Sequence, residues 1–114
     1  MPTLNDVVAM PDRVILRFPE AIEKIGAIHV PGNWGMRPEL GELVHCGDAL
    51  SPETEILRQH IVERAQQGHM FLVPMATGTH FWRKEMGAEF EFLKDIRAYR
   101  ITELSVSVRG VETP

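Results

Sequence analysis

The chain is poor in cysteine, which limits its covalent chemistry. Cys46 is the one cysteine among 114 residues, so no disulfide can form within the chain and a reducing compartment fits best. A reactive thiol would need surroundings that lower its pKa, and its neighbour His45 is expected on the opposite face of a strand. We therefore expect Cys46 to be a small buried apolar residue and not a nucleophile.

Basic clusters and long apolar runs are also missing. The net charge is −4 and the densest basic group is only Arg83-Lys84, so we expect no nucleic-acid partner. No segment approaches the ~20 apolar residues of a membrane span, and the N-terminus lacks the basic and apolar regions of a signal peptide. These observations predict no membrane partner and a cytoplasmic location.

The motifs that mark catalytic, metal and cofactor sites do not occur. The histidines are spread out without a His-x-x-x-His or a Cys-x-x-Cys, so we expect no metal site. Without a glycine-rich phosphate loop or a Gly-x-Ser-x-Gly, we predict no cofactor, no catalytic residue and no enzymatic activity. Glu89 and Glu91 alternate with phenylalanines, which indicates the solvent side of a strand and not a catalytic pair.

The chain does contain a series of short strand-like segments separated by turn residues. With 44% apolar and 25% charged residues, it has the composition of one soluble globular domain spanning 1–114. Many short strands predict a mainly β fold, a small barrel or sandwich. In the first strand, alternation predicts one buried face, formed by Val14, Leu16 and Phe18. The predicted strands are Arg13–Phe18, Gly41–Gly47, Met70–Val73, Thr79–Trp82, Glu89–Leu93, Ala98–Ile101 and Leu104–Val108.

One segment changes from strand to helix periodicity. Ser51 is a favourable N-cap, Pro52 suits the first helical position, and Gly68 is a plausible stop. This pattern predicts one helix from Pro52 to Gln67, within an insertion at 51–68. Its apolar stripe is Leu57, Ile61 and Ala65, with Ile56 and Val62 beside it.

Another segment, residues 20–40, has the glycine and proline content of a long loop. Long loops in compact domains are often functional, and this one carries a short apolar island from Ile25 to Val30. An exposed apolar island is unfavourable unless a partner binds it. Alternatively, Ile25, Ile28 and Val30 form an additional strand packed on the barrel, and in that case no docking follows.

The order of these segments resembles the chaperonin-10 (co-chaperonin) family. Pro11 to Arg17 is similar to the opening strand of that family, and Gly41-Glu42-Leu43-Val44 is similar to the strand that follows its mobile loop. Between them, Ile28-His29-Val30 stands where the family has an aliphatic tripeptide, and Tyr99 to Val106 resembles the closing segment. The likeness is good over residues 11–47, loose over 70–108 and absent over 50–68.

The resemblance implies a small GroES-like β-barrel with a long mobile loop at 20–40 and one inserted helix. It further implies a homo-oligomer, a heptameric ring that caps a chaperonin-60 type ring through mobile-loop docking and assists protein folding. Each loop is ordered only on binding, so its own affinity is low, but several loops on one ring reinforce one another. The implied partner-binding residues are Ile25, Gly26, Ala27, Ile28, His29, Val30 and Pro31.

The sequence departs from the family pattern at two places. His29 replaces the apolar middle residue of the tripeptide, and the predicted helix replaces the roof hairpin of bacterial members. Co-chaperonins encoded by bacteriophages make such changes, and for such a member the compartment is the host cytoplasm. The alternative hypothesis is a structural protein of a virion or other assembly that reuses the barrel without binding a chaperonin. An enzyme or small-ligand module stays open as a third hypothesis, since missing motifs are weak evidence.

The histidine in the tripeptide leads to a prediction about pH. A protonated imidazole is costly to bury in an apolar groove, whereas a neutral one is tolerated. If His29 is buried on docking, we expect chaperonin binding to be weaker at about pH 5.5 than at about pH 8. Equal affinities at the two pH values would remove this idea.

Overall fold

The computed structural model describes residues 2–19, 24–25, 28–29 and 39–111. Within these residues it contains eight strands, one α-helix and three short 3₁₀ helices. The strands are β1 (Arg13–Arg17), β2 (Lys24–Ile25), β3 (Ile28–His29), β4 (Glu39–Cys46), β5 (Met70–Val73), β6 (Thr79–His80), β7 (Ile96–Arg100) and β8 (Val106–Val108). The helix is α1 (Pro52–Gln66), and the 3₁₀ helices are Leu4–Asp6, Ala88–Leu93 and Ile101–Glu103.

Six of the strands form one antiparallel sheet in the order β6-β7-β1-β4-β5-β8. The predicted mainly β fold with one α-helix is therefore confirmed. The predicted barrel closure is not found, because β6 and β8 end the order and do not pair with each other within the part of the chain described. In that same part, no helix has the length and apolar character to cross a bilayer.

The first strand, β1, lies at the centre of the sheet and is buried on both faces. Val14 and Leu16 belong to the main core, as the alternation predicts. The expectation of only one buried face was wrong, since Ile15 is also buried, in a second cluster with Ala9 and Ile96. The N-terminal segment supplies this second cluster, because Leu4 and Val7 pack there too. A strand that is paired on both edges and covered on both faces has a continuously apolar sequence.

Strand β4 changes its backbone partner along its length. Its second half pairs with β1, from Arg17 opposite Glu42 to Val14 opposite Cys46, with an irregularity in register between Ile15 and Leu16. Its first half, beginning at Glu39, pairs with β5 instead. A register irregularity of this kind bends a strand, so β4 joins two parts of the sheet.

The helix is confirmed almost to the residue. Ser51 caps it, with its hydroxyl accepting a hydrogen bond from the Thr54 amide at 3.2 Å, and Pro52 occupies the first turn, where no intrahelical donor is needed. Gly68 follows the end with φ +84°, a conformation that favours glycine. Ile61 is buried in the main core, which the partly buried residues Leu57, Val62 and Ala65 also contact.

One predicted strand is wrong. Residues Ala88–Leu93 form a 3₁₀ helix, with the Phe90 amide donating to the Gly87 carbonyl at 3.0 Å. The alternation of Glu and Phe is compatible with a strand, but residues 88–93 pair with no strand among the described residues. Local i to i+3 hydrogen bonds satisfy this backbone instead, and Glu89 and Glu91 are exposed as expected.

Candidate functional site

The residues predicted to dock on a partner lie between β1 and β4. Gly26, Ala27, Val30 and Pro31 lie outside the residues that the structure describes. Ile25, Ile28 and His29 are strand residues: β2 and β3 pair as an antiparallel hairpin, with Lys24 opposite His29 and Ile25 opposite Ile28. The strands of this hairpin form a sheet of their own, separate from the six-stranded sheet.

The sequence explains why this short hairpin forms. Two residues, Gly26 and Ala27, separate β2 from β3 in the chain, and two-residue connections containing glycine are the commonest in hairpins. Ile25 and Ile28 are β-branched, which favours the extended backbone of both strands. The register places the two residues opposite each other in the pair.

The segment that carries the hairpin leaves the sheet at Phe18, which we call the first foot. Phe18 is buried in the main core, and its amide donates to the Asp95 carbonyl at 2.8 Å. Its ring lies 6.3 Å from the ring of Tyr99, inclined by 53°. The chain is therefore held both by its backbone and by its side chain where the segment begins.

The segment returns to the sheet at Glu39, which we call the second foot. One carboxylate oxygen of Glu39 accepts from the Ala76 amide at 2.9 Å. Both carboxylate oxygens accept from the Arg97 guanidinium, at 2.9 and 2.8 Å. The hydrogen bond from Arg97 lowers the pKa of Glu39 below its ordinary value, against the raising effect of burial, and the Ala76 amide lowers it further.

The lowered pKa of Glu39 leads to a prediction about the stability of the protein in acid. The pKa of Glu39 is lower in the folded protein than in the unfolded chain. The contribution of Glu39 to the free energy of unfolding is therefore present above its ordinary pKa of 4.5, and it is lost as the pH falls through the lowered folded pKa. We expect Glu39→Gln to lower the free energy of unfolding by about 1–2 kcal/mol near neutral pH. Urea unfolding of both proteins at a series of pH values should show the difference shrinking in acid. A difference that is constant with pH would contradict the prediction.

Cys46 lies at the other end of β4, where its side chain is buried. It is 6% exposed, within the main core, and burial raises the pKa of its thiol. His45 lies on the opposite face, as expected, where its Nδ1 accepts from the Ala9 amide at 2.9 Å. The expected buried apolar role is confirmed.

The burial of Cys46 predicts slow chemical modification. A thiol-specific reagent reacts with the thiolate, which is both shielded and disfavoured at this position. We expect labelling of the folded protein near neutral pH to be slower by at least about 100-fold than labelling in denaturant. The chromogenic reaction of the thiol with an aromatic disulfide measures both rates. Comparable rates would show that Cys46 is accessible.

A cleft of about 270 Å³ lies between α1 and the segment leading into β8. Arg64 Nη1 donates to the Ser107 hydroxyl at 3.1 Å, and His69 Nδ1 lies 3.0 Å from the same oxygen. Within the described residues, no three His, Cys, Asp or Glu side chains are grouped as a metal ion requires. The lining of the cleft comprises Leu57, His60, Ile61, Arg64, Phe71, Leu104, Ser105, Val106 and Ser107.

The sequence predicts the apolar island but not the side chains that hold its two feet. Arg97 lies just outside the predicted strand Ala98–Ile101, and Glu39 lies in the predicted loop, so no signal in the sequence pairs them.

Comparison with family models, with curated proteins and with solved structures gave no match to this chain.

Proposed function

We propose that the chain is a co-chaperonin subunit with a GroES-like fold, and that the segment between its two feet docks on a chaperonin-60 type ring. One observation carries the proposal. The strands on either side of the segment, β1 and β4, pair in the middle of the sheet, and the segment between them bears the hairpin with Ile25 opposite Ile28. Two paired central strands, joined by a long segment whose hairpin carries two isoleucines, suit reversible docking.

The energetics of such docking favour an oligomer. Two isoleucines contribute about 1.5–3 kcal/mol each if they are fully buried on the partner, and ordering the segment offsets part of this gain. One copy would therefore bind weakly. Several copies on one ring raise the effective concentration of each loop after the first has bound, so the ring holds tightly while each contact stays reversible.

The sheet supports assembly into a ring. Its terminal strands, β6 and β8, each have one edge without a strand partner among the described residues. Open strand edges are sites at which another chain can pair. Two different edges on one subunit allow neighbours to join head to tail, and such heterologous contacts close into rings when the rotation permits. The predicted heptamer is part of this proposal.

The experiment that tests the proposal is a mass measurement in solution. Light scattering coupled to size-exclusion chromatography gives the mass of the protein alone, with an added chaperonin, and with chaperonin and nucleotide. We expect a ring alone and a ring–chaperonin complex only with nucleotide. A monomer, or a ring indifferent to chaperonin, would instead support a structural protein of a virion or other assembly.

A further inference from the structure

The cleft between α1 and the segment leading into β8 has an apolar floor that belongs to the core. Ile61, Phe71 and Leu104 line it, and all three are buried members of the main core cluster. Leu57, one turn before Ile61 on α1, is partly buried against the same cluster. A floor of packed core residues does not rearrange freely, so the cleft is formed before any ligand enters. Its volume of about 270 Å³ suits a small molecule.

The rim of the cleft is polar and carries no carboxylate. The polar lining residues are His60, Arg64, Ser105 and Ser107. Among the described residues, none that lines the cleft is an aspartate or a glutamate, although the chain has 16 acidic residues against 12 lysines and arginines. His60 and Arg64 are one turn apart on α1 and share a face of the helix. The rim therefore offers hydrogen-bond donors and one permanent positive charge.

The acidic residues that neighbour the cleft in the chain have their partners elsewhere. Glu103, next to Leu104, accepts from the Arg100 amide at 2.8 Å. Glu63, next to Arg64, lies with one carboxylate oxygen 3.5 Å from the side-chain amide nitrogen of Gln67, one turn further along α1. Neither carboxylate neutralises the positive charge at the rim.

Arg64 directs its guanidinium to the other wall of the cleft and not to its own helix. Nη1 donates to the Ser107 hydroxyl at 3.1 Å. A basic residue in the last turn of a helix can bind the final carbonyls, but those of Glu63, Arg64 and Ala65 already accept from backbone amides. The ion pairs of the described residues do not include Arg64. Its remaining guanidinium N–H groups are thus available to a ligand in the cleft.

The hydroxyl that holds Arg64 is itself fixed. Ser107 lies in β8 opposite Phe71 of β5, and its oxygen is 3.0 Å from His69 Nδ1. A hydroxyl group accepts and donates at the same time, so Ser107 can accept from Arg64 while donating to His69. This chain of hydrogen bonds orients the guanidinium in advance, which lowers the entropy that a ligand must lose on binding.

We propose that this cleft binds a small organic anion, a carboxylate or phosphate group carried on an apolar body. The anionic group accepts from Arg64, whose planar guanidinium matches two oxygens of either group. The apolar body lies on the floor formed by Ile61, Phe71 and Leu104. The docking segment takes no part in this site, so the proposal is independent of the co-chaperonin function.

A nuclear magnetic resonance titration of the protein labelled with nitrogen-15 tests the proposal. The probes hexanoate, hexyl phosphate, hexanol and hexylamine share one apolar chain and differ in their head groups. Inorganic phosphate is the probe without an apolar body. We expect the two organic anions to shift the signals of the Ser105 and Ser107 amides and of Arg64 Nε until they saturate. Hexanol and hexylamine should bind at least about tenfold more weakly, and the stronger of the two anions identifies the head group.

Arg64→Gln is the main variant for this titration. It removes the charge from an exposed position on α1, so the fold should persist, which circular dichroism checks. We expect hexanoate to bind about tenfold more weakly to Arg64→Gln than to the parent. Arg109→Gln is the matched control and should leave the affinity unchanged, because Arg109 is exposed just after β8 and does not line the cleft.

Three results would overturn the proposal. Hexanol that binds as tightly as hexanoate would show that no anionic group is recognised, and hexanoate binding that survives Arg64→Gln would place it outside the cleft. Inorganic phosphate that binds as tightly as hexyl phosphate would show that the apolar floor contributes nothing. Shifts without saturation, alike at Arg64 and Arg109, would reveal only the attraction of any surface arginine for an anion.

Discussion

Replacing Gly47 with alanine is expected to destabilise the fold by about 3 kcal/mol. A Cβ at this position would lie 2.1 Å from the Met10 carbonyl oxygen and 2.9 Å from its carbon. Both atoms belong to the backbone, so no side-chain rotation relieves the contact. The N-terminal segment would have to move away from the end of β4.

The cost is large because several backbone hydrogen bonds depend on this close approach. The Gly47 amide donates to the Arg13 carbonyl at 2.8 Å, and the Asp12 amide donates to the Asp48 carbonyl at 2.7 Å. In addition, the Gly47 carbonyl accepts from Arg58 Nε at 2.8 Å, which joins β4 to α1. Displacing the N-terminal segment also exposes the second core cluster, to which Ala9 and Ile15 belong.

Gly87→Ala is the matched control for this prediction. Its Cβ would approach Glu89 to 2.5 Å, but the atoms concerned are the end of a flexible, exposed side chain that can rotate away. We expect a change of no more than about 0.5 kcal/mol. Urea unfolding followed by circular dichroism measures both variants. If the two cost the same, the close packing at Gly47 does not support the fold as described.

If the protein docks on a chaperonin ring as proposed, replacing Ile28 with aspartate is expected to abolish that capture. An aspartate removes the apolar contribution of this residue and adds a charge that is costly to bury. A loss of about 3 kcal/mol in each loop lowers its affinity by roughly 100-fold. If the chain forms the proposed ring, every subunit carries the same change and the losses multiply across the assembly.

Ile56→Asp provides the control for the docking prediction. Ile56 lies on α1 and is 60% exposed, so it is an accessible isoleucine on a different element from the hairpin. Co-sedimentation with chaperonin and nucleotide compares the two variants with the parent, and light scattering checks that both keep the parent's mass. Binding that survives Ile28→Asp and is lost in Ile56→Asp would place the docking surface on α1.

Local signals in the sequence sufficed for the elements whose causes are local. The cap at Ser51 and the apolar spacing after it predict α1, because a helix satisfies its backbone from within. The apolar island from Ile25 to Val30 predicts a docking loop, and this stays a prediction; of that island the structure describes the short pairing of β2 with β3. The burial of Cys46 followed from its short apolar strand between glycines.

Only the tertiary structure decided the features that depend on residues far apart in the chain. The double burial of β1 requires the N-terminal segment on one face, and Ile15 carries no sign of it. Residues 88–93 pair with no other strand of the described residues and form a 3₁₀ helix, which alternation cannot reveal. Likewise, Arg97 binds Glu39 only because β7 and β4 lie on either side of β1. Sheet order is set by long-range packing, and so is this ion pair at the second foot.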